Sequence, residues 1–243
     1  MTIEETSIDF LKYRTEFSKQ DYYEFLRNNG YVKKYNSYLV SFQKLINDGK
    51  VHRVGRNRYC AEEKEYRSYS HLYSGEAVKI ADCIKSNHPF TDFVIFETVQ
   101  LNEFINHQIG KNTIFVYVDI DVADFVYETL NMEFQGMVML SPKSKEFHQY
   151  RRENSVVISR LISESPKNTD VPWQISLEKM LVDIIADRLV HETFSESEYS
   201  NIFDTAFERY IIDKSKLIRY AGRRNAVSKI RNYIDRPEVT NDK

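Results

Sequence analysis

The chain has too little cysteine to support a covalent or metal-held framework. Cys60 and Cys83 are the two cysteines among 243 residues, and without a zinc-site spacing they are expected to remain reduced thiols. Glycine is equally scarce: seven residues form no G-x-G or Walker pattern, which excludes a glycine-built phosphate cradle. The six histidines, His52, His71, His88, His107, His148 and His191, are scattered without the i, i+4 spacing of a helical metal site. No metal and no cofactor is expected. No apolar run approaches the roughly 20 residues needed to cross a bilayer. The opening Met1-Thr2-Ile3-Glu4-Glu5 lacks the basic-then-apolar layout of a signal peptide, so a cytoplasmic location without a membrane partner is expected.

Charge of one sign is lacking overall, with a formal net charge of −2, but it is unevenly distributed. Over residues 33–58, Lys33, Lys34, Lys44, Lys50, Arg53, Arg56 and Arg58 face only Asp48, a local excess of +6. Over residues 213–236, Lys214, Lys216, Arg219, Arg223, Arg224, Lys229, Arg231 and Arg236 face two acids, again +6. The stretch between them, residues 59–212, carries −11. Local basic excess of this kind is what phosphate contacts require.

The first basic segment has the pattern of a winged helix-turn-helix. Ser18 and Asp21 form an N-cap arrangement for a helix through Asn28, with Tyr22, Phe25 and Leu26 on one face and Asn29-Gly30 as the stop. A second helix over residues 36–48 has Leu39, Phe42, Leu45 and Ile46 at helical spacing and Gly49 just beyond its end. Ser37, Tyr38, Ser41 and Lys44 are then expected on its outward face, where short polar or basic side chains suit entry into a groove about 12 Å wide. The hairpin Lys50-Val51-His52-Arg53-Val54-Gly55-Arg56-Asn57-Arg58-Tyr59 supplies the wing, with Gly55 and Asn57 as residue types that tolerate positive φ and Arg56 at the tip. An additional helix is expected before Phe17 through Ile8, Phe10, Leu11 and Tyr13. The DNA-binding candidates are therefore Lys33, Lys34, Ser37, Tyr38, Ser41, Lys44, Lys50, Arg53, Arg56 and Arg58.

Residues 61–70 are polar and lack a consistent period, which places a linker between a winged-helix domain over 1–65 and a second domain over 71–243. Ser74 caps a helix near residues 75–85, Phe93-Val94-Ile95-Phe96 forms an apolar run, and a short helix is expected through Val99, Leu101, Phe104 and Ile105. Residues 114–118, 137–140 and 155–158 read as strands, and Asp121 as the cap of a helix with Val122, Phe125, Val126 and Leu130 inward. Alternating strands and helices imply an α/β layer covered on both faces. From Trp173 on the pattern is helical, with a stripe through Leu177, Met180, Leu181, Ile184, Ile185 and Leu189, and a capping box at Ser195 and Glu198 ahead of Ile202, Phe203, Ala206, Phe207 and Tyr210. Short helices near 214–220 and 226–234 carry the second basic segment. Within it Arg219, Arg223 and Arg224 are either solvated surface or an auxiliary contact to DNA or protein. The fold class is α+β overall: an N-terminal winged helix-turn-helix, a mixed α/β domain and a helical C-terminal part.

Chemistry in the middle of the chain has little support. Asp119 and Asp121 follow a strand, as metal-binding aspartates of nucleotidyl transfer do, but no glycine-serine phosphate turn precedes them. Asp92 and Glu97 resemble a nuclease carboxylate pair, but position 99, where a lysine belongs, is Val99. Helix capping and strand-edge solubility explain these carboxylates more simply. No catalytic residue is expected. The competing readings are a metal-dependent nuclease-like enzyme targeted by its winged helix and a winged helix that binds protein rather than DNA.

The wing sequence Leu45-Ile46-Asn47-Asp48-Gly49 through Tyr59, joined to a later helix Ser176-Leu177-Glu178-Lys179-Met180-Leu181-Val182-Asp183, resembles the AbiEi-type antitoxins of bacterial abortive-infection systems. The likeness covers most of the chain, and its departure is Asn57 where family wings often carry glycine. The resemblance implies a repressor of its own operon, bound to double-stranded operator DNA with inverted repeats. It also implies antagonism of a nucleotidyltransferase-like toxin without a stable complex.

Overall fold

The computed structural model describes residues 3–11, 16–32, 35–61 and 68–234. They fall into two compact units, one comprising residues up to 68 together with 207–216, and the other residues 69–206 and from 217 on.

In the first unit, helices α1 (Ile3–Leu11), α2 (Lys19–Asn28) and α3 (Tyr35–Asn47) precede an antiparallel hairpin of β1 (Val51–Gly55) and β2 (Arg58–Ala61). Phe17 adds a one-residue bridge to the hairpin, exchanging 2.8 Å backbone hydrogen bonds with Tyr59 in both directions. Ser18 closes a capping box with Asp21 at the start of α2, satisfying amides that the first helical turn leaves unbonded.

Helices α2 and α3 end in the same way. The Gly30 N–H bonds the Arg27 carbonyl and Tyr31 the Leu26 carbonyl; Gly49 bonds Ile46 and Lys50 bonds Leu45. These paired bonds require left-handed backbone at Gly30 (φ 88°) and Gly49 (φ 71°), which glycine adopts without a Cβ penalty. The core of the unit is strongly aromatic: Phe10 meets Phe17 edge-on at 4.9 Å, Tyr22 lies 5.2 Å from Phe42, and Phe42 meets Tyr59 at 4.8 Å. Phe10 and Leu11 of α1 are buried as expected, whereas Ile8 is exposed, and Tyr13 lies outside the described residues.

The second unit is built on a four-stranded sheet in the order β3-β4-β6-β5, formed by β3 (Phe93–Glu97), β4 (Thr113–Val118), β5 (Val138–Leu140) and β6 (Ser155–Arg160). β3 runs antiparallel to β4, and β4, β6 and β5 are mutually parallel. Helices α4 (Gly75–Asn87) and α5 (Ala123–Glu133) pack Ile80, Ile84, Val126 and Leu130 on the face that presents Ile95, Ile114, Val116 and Ile158. The other face carries Phe96, Phe115 and Tyr117, covered by Phe147 of α6 (Ser144–Tyr150) and Lys179 of α7 (Leu177–Ala186). The free edge of β3 is occupied by the Trp173 carbonyl, which accepts the Ile95 N–H at 2.7 Å.

The remaining helices are α8 (Arg188–His191), α9 (Tyr199–Arg209), α10 (Lys214–Arg223) and α11 (Val227–Ile234). The structure is therefore an α+β arrangement of winged helix, mixed α/β layer and C-terminal helices.

Several local expectations are corrected. The side chain of Asp119, not Asp121, caps the turn before α5 by accepting the Asp121 N–H, and Phe125 points outward. The long stripe from Leu177 breaks at Asp187, whose carboxylate caps α8. Ser195 caps a short 3-10 turn rather than a capping box, because the Glu198 carboxylate instead accepts from Asn106 and pairs with His107 at 2.7 Å.

Candidate nucleic-acid interface

The order helix, bridge, helix, helix, hairpin places α2 and α3 as the helix-turn-helix and residues 51–61 as the wing. At about 100° per residue, α3 separates into two faces. Tyr38, Phe42 and Leu45 are buried, and Asn36, Ser37, Val40, Gln43, Lys44 and Asn47 are exposed.

Two residues expected on the outward face are not there. Tyr38 is 3% exposed, and its hydroxyl donates to the Tyr31 carbonyl. Ser41 is half-buried; it accepts from the Tyr22 hydroxyl at 3.1 Å and donates to the Tyr38 carbonyl at 2.9 Å. Both hold α3 on α2. Asn36, Val40, Gln43 and Asn47, by contrast, were not singled out by the sequence. They become visible once Tyr38 is placed with Phe42 and Leu45, because they lie half a helical turn from that stripe.

The wing turns through Arg56 and Asn57, and Asn57 alone takes the positive φ, 56°; Gly55 does not. Arg53, Arg56 and Arg58 are all exposed. Arg53 Nε donates to the Gly55 carbonyl at 3.1 Å, stiffening the strand just before the tip. Arg58 pairs with Glu16, which also lies 3.6 Å from Lys214. Asn57 Oδ1 accepts the Lys19 N–H at 3.4 Å and so ties the turn to the start of α2. Among the described residues, Arg56 has no carboxylate partner, which leaves its charge at the tip for a ligand. Lys50 is half-buried at the foot of β1, and Lys33 and Lys34 lie outside the described residues.

Arg219, Arg223 and Arg224 of the second basic segment are engaged in ion pairs within the second unit. Arg219 and Arg223 are exposed, each 3.7 Å from Glu164, and Arg223 also donates to Ser163. Arg224 is an interior residue rather than a surface one, with 16% of its side chain exposed. Its Nε is 3.2 Å from Asp183 Oδ1, close but not aligned as a hydrogen bond, and its Nη2 is 3.6 Å from Asp187.

These groups border a buried ionic cluster. Lys179 Nζ lies 2.5 Å from Asp183 Oδ2, 3.1 Å from the Tyr220 hydroxyl and 3.9 Å from the centre of the Tyr117 ring. Tyr220 donates to Asp183 Oδ1 at 3.0 Å. Burial lowers the Lys179 pKa against the opposing pull of Asp183, and burial raises that of Asp187, with the neighbouring Asp183 carboxylate adding to it.

The carboxylates considered for metal chemistry are dispersed. Asp92 is exposed and paired with Lys167 at 2.7 Å. Glu97 is fully buried, accepting from the Ser74 N–H and Asn112. Among the described residues, no group of three or more His, Cys, Asp or Glu is placed to hold a metal ion, and no helix is long and apolar enough to cross a membrane.

The first unit is a winged-helix-like fold, an architecture compatible with binding DNA. The model of a family of unknown function (DUF6577) matches residues 38–239, and the chain belongs to that family. Among solved structures it is similar to the RV2827C protein from Mycobacterium tuberculosis at 10% identity, over 96% of this chain and 81% of that chain. The TM-score of 0.29 is too low for that likeness to bear on fold or function. No curated protein matches the chain.

Proposed function

We propose that the protein is a sequence-specific double-stranded-DNA-binding repressor and the antitoxin of a toxin–antitoxin operon, acting in the cytoplasm and without catalytic activity of its own. The observation that carries the reading is a helix-turn-helix whose α3 keeps a polar face outward beside a wing bearing Arg53, Arg56 and Arg58. Groove width, helix diameter and phosphate charge make that combination suited to a duplex. The antitoxin part rests on the resemblance of the wing and of the Lys179–Asp183 helix to AbiEi-type proteins. Its partners are then an inverted-repeat operator and a nucleotidyltransferase-like toxin.

Repression and protection are separable tasks on this reading. Arg56 sits at the wing tip, away from the aromatic core, so Arg56→Ala removes a phosphate or minor-groove contact without disturbing the fold. With the full chain expressed beside the nucleotidyltransferase-like toxin that this reading places in the same operon, Arg56→Ala is expected to raise promoter activity several-fold while growth stays protected. Unchanged repression would take the wing out of the interface. An operon partner that is harmless without this protein would remove the antitoxin role.

A further inference from the structure

Four exposed residues, Asn36, Val40, Gln43 and Asn47, follow one another along α3 at i, i+4, i+7 and i+11, forming a single ridge opposite the core. None carries a charge. Ser37 and Lys44 flank this ridge on one side, and the nearest acid in sequence, Asp48, falls beyond the helix end.

The major groove presents each base differently. Guanine N7 and O6 are met by arginine or lysine and the cytosine amino group by a carboxylate, whereas adenine N7 and N6 match a carboxamide and the thymine methyl matches an apolar group. A ridge of three carboxamides around a valine holds the complement of A·T pairs and little for G·C. Val40 is 72% exposed, an isopropyl group in the middle of a polar face. Gln43 Nε2 donates to Asn47 Oδ1 at 3.0 Å, fixing the plane of the Gln43 amide while leaving its Oε1 and second N–H for the N6 and N7 of adenine.

The wing makes an independent demand of the same kind. An exposed arginine at a hairpin tip gains most where the minor groove is narrow, and narrow minor grooves belong to A·T-rich steps. We infer that the winged unit reads A·T base pairs, with Gln43 and Asn36 on adenines, Val40 on a thymine methyl, Lys44 on the flanking phosphates and Arg56 in an adjacent A·T-rich minor groove. This inference rests on the DNA-binding reading above and adds the sequence class to it.

Selection of bound duplexes from a random pool by the full chain, followed by titration of the enriched duplex, tests it. The enriched sites are expected to contain a run of A·T pairs. Gln43→Ala should weaken binding to the enriched duplex by about 5- to 150-fold, corresponding to about 1–3 kcal/mol, and leave binding to unselected duplexes unchanged. Replacing the critical adenine by 7-deazaadenine, which lacks the N7 acceptor, should weaken the wild-type protein and add nothing to the Gln43→Ala loss. A purely structural role for Gln43 would not produce that non-additivity.

G·C-rich enriched sites would overturn the A·T assignment, and additive losses the placement of Gln43 on adenine, while leaving DNA binding in place. Absence of salt-sensitive binding to any duplex would overturn the underlying reading as well. Binding of protein partners through Val40 with no duplex affinity would have the same consequence.

Discussion

Asp183→Ala is expected to destabilise the second unit by about 3–5 kcal/mol, because it strands charge in the interior rather than removing it. Asp183 and Lys179 are each 1% exposed, and Asp183 accepts from both Lys179 and Tyr220 while facing Arg224. With the carboxylate gone, Lys179 is left against the Tyr220 hydroxyl and the Tyr117 ring with the weaker pull of Asp187, and the lowering of its pKa by burial is less opposed. Removing both members of the pair has a different expected outcome. Lys179→Met with Asp183→Leu strands no lysine charge and leaves Arg224 facing Asp187, so the double variant should lose clearly less stability than Asp183→Ala. Urea unfolding of the three proteins, read at the midpoint and slope, distinguishes the cases. A double variant as unstable as the single one would mean that the ion pair itself, rather than its intactness, stabilises the fold.

Phe42→Ala should cost about 3–5 kcal/mol in the first unit and abolish duplex binding with it. Phe42 is 1% exposed and joins the elements of the interface: its ring is 5.2 Å from Tyr22 of α2, 4.8 Å from Tyr59 of β2 and 6.4 Å from Phe17. Losing the ring opens a cavity where α2, α3 and the wing converge, so the helix face and the wing no longer hold a common geometry. Thermal melting together with DNA titration at a temperature where the variant remains folded measures both effects. A variant with near-normal stability and affinity would show that α3 is seated by something other than this aromatic cluster.

Much of the fold was legible because its signals are local. Ser18 and Ser74 cap helices as their positions imply, Gly30 and Gly49 end α2 and α3 in left-handed backbone, and the runs at 93–96, 114–118 and 155–158 lie within β3, β4 and β6. The candidate interface was legible as an element but not residue by residue. Tyrosine decides the difference: the polar tip of Tyr38 suggested an outward position, yet its ring fills the core because the hydroxyl finds the Tyr31 carbonyl. That one inversion hid the Asn36–Asn47 ridge and misplaced Ser41. The buried cluster was hidden for another reason. Lys179 and Asp183 show i, i+4 spacing, which on a surface helix is an ordinary solvated pair, and only the tertiary approach of Tyr220 and Arg224 makes them interior. The helix at 144–150 has a mixed pattern with Phe147 as its single buried residue, too weak a periodicity to register.

The central claim, that the winged unit binds duplex DNA through its helix and wing, is tested most directly by the salt dependence of binding. Affinity of the full chain for duplex DNA should fall linearly on a log–log plot against salt, and Arg53→Ala with Arg56→Ala should make that slope shallower by about 2. Both side chains are exposed and neither fills the core, so the variant's melting temperature should match that of the wild-type protein. An identical slope for the two proteins, or no salt-sensitive affinity at all, would contradict the account.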